Sequence, residues 1–311
     1  MSFRTFEELI GQAGSFQEAE PENAVRVSVA APDLHTLEAV FRACREGFVK
    51  PVLVGGREEI VKNWSSLQSG DMDVELPGIW DVPDKAAACE RAVELVRTGE
   101  ADFLMKGGVD TSVFLKAVVN RDTGLGQGRL MSHIAMFEVP GMRKLLTVVD
   151  GGMVPYPGLE EKKSIIENTV EALRRMGYDC PMVGVLACVE KVNPKMPETV
   201  EADQLKRMNR EGVIRDCIVE GPISYDCAVS SEIAAVKDYC SQVAGEADIL
   251  IVPNIHAGNI MGKMLTCTCG ARMAGFVAGA ACPIVLSSRG ASVEEKYLSI
   301  LAAAAASAKG G

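Results

Sequence analysis

Residues 247–265 read ADILIVPNIHAGNIMGKML. The first part, ADILIVPN, is a short apolar run rich in β-branched residues and closed by Pro253 and Asn254, which is the pattern of a buried strand. After Asn254, a residue suited to cap a helix, NIHAGNIMGK opens a helical segment. A buried strand that runs straight into a helix is half of a crossover unit. The same transition recurs outward along the chain. Apolar runs VRVSVAAP (25–32), KPVLVGG (50–56), ADFLMKGG (101–108), KLLTVVDGG (144–152), PMVGVLA (181–187) and PIVLSS (283–288) alternate with amphipathic segments. Strands alternating with helices predict an α/β fold of mostly parallel sheets with helices on both faces.

Two helices have explicit start and stop signals. Asp33 caps a segment with apolar residues at Leu34, Leu37, Val40 and Phe41, and Gly47 ends it. Ser164 and Glu167 have the spacing of a capping box, with Ile166, Val170 and Leu173 as the buried face and Gly177 as the stop. At 311 residues and 48% hydrophobic composition the chain is long enough for two domains. The Pro–Gly pair in EVPGM (138–142) and the strand starting at Pro283 place the crossings. One discontinuous domain is expected over 1–138 plus 283–311, and a second over 139–282.

Composition excludes several classes. A net charge of −10 argues against nucleic-acid partners, because a phosphate backbone is gripped by surplus Lys and Arg. No stretch approaches the roughly 18 uninterrupted apolar residues of a membrane span. The first residues, MSFRTFEELIGQAG, lack a secretory apolar core, so a cytoplasmic location is expected. The ten cysteines lie inside apolar helix and strand patterns rather than in a disulfide or zinc framework, which predicts reduced thiols and no bound metal.

In open α/β sheets ligands gather beyond the C-terminal strand ends. Three such places carry suitable chemistry. In PIVLSSRGASVEEK (283–296), Ser287, Ser288 and Arg289 precede a helix start, which suits an anion, although Ser292 and Glu295 also fit a capping box. In NIHAGNIMGK, Gly258 permits close approach, Asn254 and Asn259 offer polar groups, and Lys263 could meet a phosphate; capping is the structural alternative for either asparagine. In MKGGVDTSVFLK (105–116), Lys106, Gly107 and Thr111 surround another helix start, but the lysine precedes the glycines, unlike a Walker loop. GLGQGR (124–129) follows a helix rather than a strand, so it is no dinucleotide fingerprint; it reads as a mobile loop carrying Arg129. Ser132 and His133 begin the next element, and the chain has no GxSxG elbow that would make His133 the base of a serine nucleophile.

Taken together, PNIHAGNIMGKML, GFVAGAACPIVLSSRGASVEEK and the pair Ser299–Ile300 resemble the C-terminal signature of the phosphate acetyltransferase and phosphate butyryltransferase family. MKGGVDTSVFLKAVV, GRLMSHIAMFEVPG and VEGPISYDCAVS look like the butyryltransferase branch. The resemblance implies a two-domain fold like that of isocitrate and isopropylmalate dehydrogenases, with an interdomain cleft. It also implies a homo-oligomer, acyl-coenzyme A and inorganic phosphate as substrates, no bound organic cofactor and no catalytic metal. By motif, Ser288 and Arg289 correspond to the family's serine and arginine that polarise the thioester and hold phosphate. Where the acetyltransferases carry an aspartate, this chain has Glu295. The alternatives are a phosphate acetyltransferase, a noncatalytic acyl-coenzyme A-binding protein and a dehydrogenase of the same fold, the last of which would need an aspartate cluster that the sequence lacks.

Overall fold

The computed structural model describes residues 3–11, 24–68, 74–288 and 290–307. Along the chain run β1 (Val25–Ala30), α1 (Leu34–Arg45), β2 (Val49–Gly55), α2 (Arg57–Leu67), β3 (Gly78–Asp81), α3 (Lys85–Arg97), β4 (Phe103–Lys106), α4 (Thr111–Val118), β5 (Ser132–Glu138) and β6 (Leu146–Val149). They are followed by α5 (Leu159–Arg175), β7 (Met182–Leu186), α6 (Pro197–Arg210), β8 (Ile218–Ile223), α7 (Tyr225–Val229), α8 (Ser231–Val236), β9 (Ile249–Ile251), α9 (Ile255–Cys267), β10 (Arg272–Ala278), β11 (Ile284–Val285) and α10 (Val293–Ser307). The chain forms two compact units: Leu9–Arg129 with Ala274–Gly311, here the first unit, and Met1–Glu8 with Leu130–Met273, the second.

In the first unit the strands lie in the order β3-β2-β1-β4-β11-β10. Every neighbouring pair is parallel except β10 with β11. Consecutive residues Val27, Ser28, Val29 and Ala30 are all fully buried, as are Phe103, Leu104 and Met105. Successive side chains of a strand point to opposite faces, so both faces of this sheet are covered. Each large apolar side chain fully buried here contributes roughly 1.5–3 kcal/mol. Helix α1 follows its sequence signals closely. Asp33 accepts the main-chain N–H of Thr36 at 2.8 Å, Leu37, Val40 and Phe41 are buried, and Gly47 turns the chain at φ +79°.

The second unit has the order β5-β6-β9-β7-β8, with only β5 and β6 antiparallel. Its core includes Phe137, Leu146, Val148, Ile223, Leu250 and Leu265. The expected capping box at Ser164 is not formed. Helix α5 begins five residues earlier because LEEKK continues the helical run, and the Ser164 hydroxyl donates to the carbonyl of Glu160 at 3.0 Å from inside the helix. The main-chain N–H of Gly158 is instead bonded by Glu161 at 2.9 Å.

The chain crosses between the units at 8/9, 129/130 and 273/274, the last two one strand away from the Pro–Gly and Pro283 signals. β5 is held with the second unit by its antiparallel ladder to β6, and β10 lies beside β11. Those pairings, which local turn signals do not report, set the last two crossings.

Candidate active site

In the first unit, β11 and β4 run parallel, with Ile284 beside Leu104 and Val285 beside Met105. Two residues beyond, the strand ends deliver Ser287 and Gly107. Gly107 is required by packing: a Cβ there would meet the carbonyl oxygens of Ala31 at 2.4 Å and Ala30 at 2.7 Å. Lys106 is buried, and its Nζ donates to the carbonyls of Gly107 at 3.1 Å and Val109 at 3.0 Å, so this lysine shapes the turn from within. Thr111 is the exposed first residue of α4, and Asp110 precedes it as the cap residue.

Ser287 is buried, and its Oγ has no hydrogen-bond partner. Such an orphaned hydroxyl is uncommon in a native interior and marks a place where a ligand can complete the bonding. Ser288, by contrast, is exposed, and its Oγ accepts the N–H of Gly290 at 3.4 Å. Arg289 lies outside the described residues. Ser292 caps α10 by accepting the N–H of Glu295 at 3.1 Å, as the capping reading required. The helix is held in place through Glu294, which pairs with Arg42, and Tyr297, whose hydroxyl donates to Glu46 while its ring lies 3.6 Å under the Arg42 guanidinium. Ser287 and Ser288 follow β11, and Ser292 opens the anchored α10. The GLGQGR segment is pinned rather than mobile: Leu125 is buried, its N–H reaches Val118, and its carbonyl accepts from Ala281. Arg129 at its end is exposed.

In the second unit, Asn254 caps α9 by accepting from Ala257 at 3.1 Å. Gly258 packs against the turn after β6; a Cβ on it would lie 2.8 Å from the Cα of Gly151. Asn259 donates to the carbonyl of Gly151 at 3.3 Å, and Lys263 is exposed on the same helix. The sequence reading passed over the turn itself. Asp150 accepts four main-chain N–H groups, from His133 (3.0 Å), Gly152 (2.6 Å), Met153 (2.8 Å) and Val154 (3.3 Å). Nearby, Tyr156 and His256 share a 2.9 Å contact between hydroxyl and Nε2. The available signal was the DGG that closes KLLTVV, the same strand-end glycine pair as in MKGG.

The structure thus gathers Lys106, Gly107 and Ser287 at one strand end of the first unit, and Asn254, Gly258 and Asn259 at one strand end of the second. A separate polar cluster combines Glu190, Asp226 and Cys227, whose ligand-type atoms lie within 4.8 Å of one another. Lys237 occupies it, 2.9 Å from Glu190 and 2.8 Å from Asp226. The bonds from Lys237 and from the Ser224 hydroxyl hold the Asp226 carboxyl down to about 2. One ammonium already bonds both carboxylates.

The family described as phosphate acetyl/butaryl transferase matches residues 85–304. The chain belongs to that family. It is 42% identical over 280 residues to a phosphate butyryltransferase of Clostridium acetobutylicum, spanning 90% of this chain and 92% of that one. It is also 42% identical over 271 residues to a phosphate acetyltransferase of Thermotoga maritima, spanning 87% and 91%. A branched-chain phosphotransacylase from Enterococcus faecalis V583 superposes with a TM-score of 0.79 at 31% identity, covering 91% of this chain and 99% of that one. As a member of the phosphate acetyl/butyryl transferase family the chain is an acyltransferase, with coenzyme A and phosphate as substrates. Among the described residues, no helix is long and apolar enough to cross a membrane.

Proposed function

We propose that this acyltransferase exchanges coenzyme A for phosphate on a short acyl group longer than acetyl, with butyryl as the reference substrate. The observation that carries the reading is the strand-end turn of the first unit, where the buried, unpartnered Ser287 hydroxyl and the exposed Ser288 stand directly before Arg289 and the capped start of α10. Phosphate held by Arg289 and main-chain N–H groups attacks the thioester carbonyl, and Ser288 stabilises the oxyanion that develops. Coenzyme A leaves as a thiolate. In the reverse direction Glu295 takes the thiol proton. Ser287, Gly107, Thr111 and Arg129, with Lys106 bracing the turn from within, form the ligand surroundings in the first unit, and Asn254, Gly258, Asn259 and Lys263 form them in the second. The preference beyond acetyl is supported by the butyryltransferase-like motifs MKGGVDTSVFLKAVV and GRLMSHIAMFEVPG. The family resemblance further supports a homo-oligomer, and the first residues of the sequence support a cytoplasmic location.

The test is thiol release from acetyl-, propionyl- and butyryl-coenzyme A, each with and without phosphate and without added metal. Phosphate-dependent release with kcat/KM highest for butyryl is expected. One methylene is worth about 1–3 kcal/mol in a fitted apolar pocket, so a ranking led by acetyl would reassign the substrate. Arg289→Ala should raise the barrier by about 2.7–4 kcal/mol, the range for a lost oxyanion donor. A fall in turnover of less than tenfold in a folded variant would remove Arg289 from its role.

A further inference from the structure

The imidazole of His133 stands apart from the bonding that surrounds it. Antiparallel pairing of Ala135 with Val148 carries β5 back so that His133 faces Asp150 at the strand end. The two residues are joined through the main-chain N–H of His133, not through its ring, and the Asp150 carboxylate is already occupied by the four N–H groups described above. The ring rests on Gly152. A Cβ at that position would stand 3.0 Å from its Cγ and 3.1 Å from its Nδ1, so a side chain there would press on the ring. Nδ1 is consequently shut away from solvent with no hydrogen-bond partner, while the residue as a whole keeps partial exposure.

The backbone beneath the ring is fixed as well. Asn168 on α5 donates to the carbonyl of Leu130 at 2.7 Å and to the Ser132 hydroxyl at 3.1 Å. On the other side of the turn, Gly151 packs against Gly258 at the start of α9. The imidazole therefore stands, pre-oriented, at the strand end where Asn254 and Asn259 also lie.

The tautomer follows from the burial. A buried N–H without a partner is rarer than a buried acceptor without one, so the proton belongs on Nε2 and the shut-away Nδ1 keeps its lone pair. Burial also pushes the imidazole below its ordinary pKa, against the opposing charge of Asp150, and keeps the ring neutral at neutral pH. A neutral imidazole held in place is an uncharged donor, able to polarise a carbonyl without a counter-ion. We propose that His133 contacts substrate, donating an Nε2–H hydrogen bond to a carbonyl oxygen of acyl-coenzyme A. This rests on the acyltransferase reading above.

The chain has only three histidines, so their ring nitrogens can be resolved in long-range proton–nitrogen spectra of labelled protein, with His35→Gln and His256→Gln giving the assignment. His133 is expected as the Nε2–H tautomer, and butyryl-coenzyme A added without phosphate should shift its resonances. In the thiol-release assay His133→Leu should lose activity on the order of 10²-fold. His133→Gln places an amide donor near the position of Nε2 and should recover at least tenfold of that loss. A loss confined to kcat assigns the bond to the thioester carbonyl, and a rise confined to the KM for acyl-coenzyme A assigns it to an amide carbonyl of the pantetheine arm. Either supports the proposal. An Nδ1–H tautomer, resonances indifferent to butyryl-coenzyme A, or a folded leucine variant as active as the wild type would overturn it. If the leucine variant does not fold, the wild-type spectra decide. A wild-type protein that releases no thiol from any of the three thioesters would strike down the acyltransferase reading and this proposal with it, whereas an active wild type with an unaffected His133→Leu would remove only the proposal.

Discussion

His133 also bears on how stability depends on pH. The unfolded chain takes up a proton at an imidazole near pKa 6.5, and the folded ring, pushed lower by burial, resists it. Where the unfolded state binds more protons, stability falls as pH falls. The contribution of this ring is therefore complete above about pH 7 and is lost below 6.5, at no more than about 1.4 kcal/mol per pH unit. The negative charge of Asp150 works in the opposite sense and reduces the slope. Urea denaturation at fixed ionic strength between pH 7.5 and 5 should show the wild type losing stability faster than His133→Gln. Parallel curves would mean that the folded ring protonates as readily as the unfolded one. None of this was legible in SHIAMF: Gly152, on which the ring rests, and Asp150, whose charge acts on it, reach it through an antiparallel register that no local pattern encodes.

At the scale of elements, the sequence was most informative where one residue both starts a helix and follows a strand. Asp33 reads as a cap, and capping is the structural alternative for Asn254; each accepts an N–H three residues on. The reading failed at Ser164, because a hydroxyl three residues before a glutamate fits a helix interior as well as a helix start. Nor do local signals carry the crossings at 129/130 and 273/274, where long-range strand pairing decides. At the site, the strand-end rule located the serine turn and the start of α9, but it could not tell a ligand-facing polar group from one engaged within the protein, as Lys106 shows. Asn254 separates those two functions experimentally. Asn254→Ala removes the cap of α9 and should cost about 1 kcal/mol in chemical denaturation, while Asn254→Ser keeps an N-cap oxygen and should stay within a few tenths. If the carboxamide also meets substrate, thiol release falls in both variants. Full activity in Asn254→Ser would reduce Asn254 to a cap.

For the whole molecule, the chain's ten cysteines report on packing across both units. Every cysteine in the structure is a free thiol; Cys180, Cys188, Cys240, Cys267 and Cys269 are exposed, while Cys89, Cys217, Cys227 and Cys282 are buried. Loss of water pushes the Cys89 thiol up to about 11 and those of Cys217 and Cys282 up to about 12. The thiolate is the reactive species, so at pH 8 these three are protected twice, by access and by protonation. Brief treatment of the native protein with N-ethylmaleimide, read by intact mass and peptide mapping, should label the five exposed positions first and half-buried Cys44 more slowly. In urea without reductant all ten should react, and a shortfall by an even number would reveal a disulfide that the free-thiol arrangement forbids. Rapid native labelling at Cys89 or Cys282 would show that the first unit opens around its sheet faster than the tight packing of β4 and α3 implies. An exposed thiol that stays unlabelled until the protein is diluted would mark a face covered by a second copy of the chain, which converts the homo-oligomer expectation into a mapped surface.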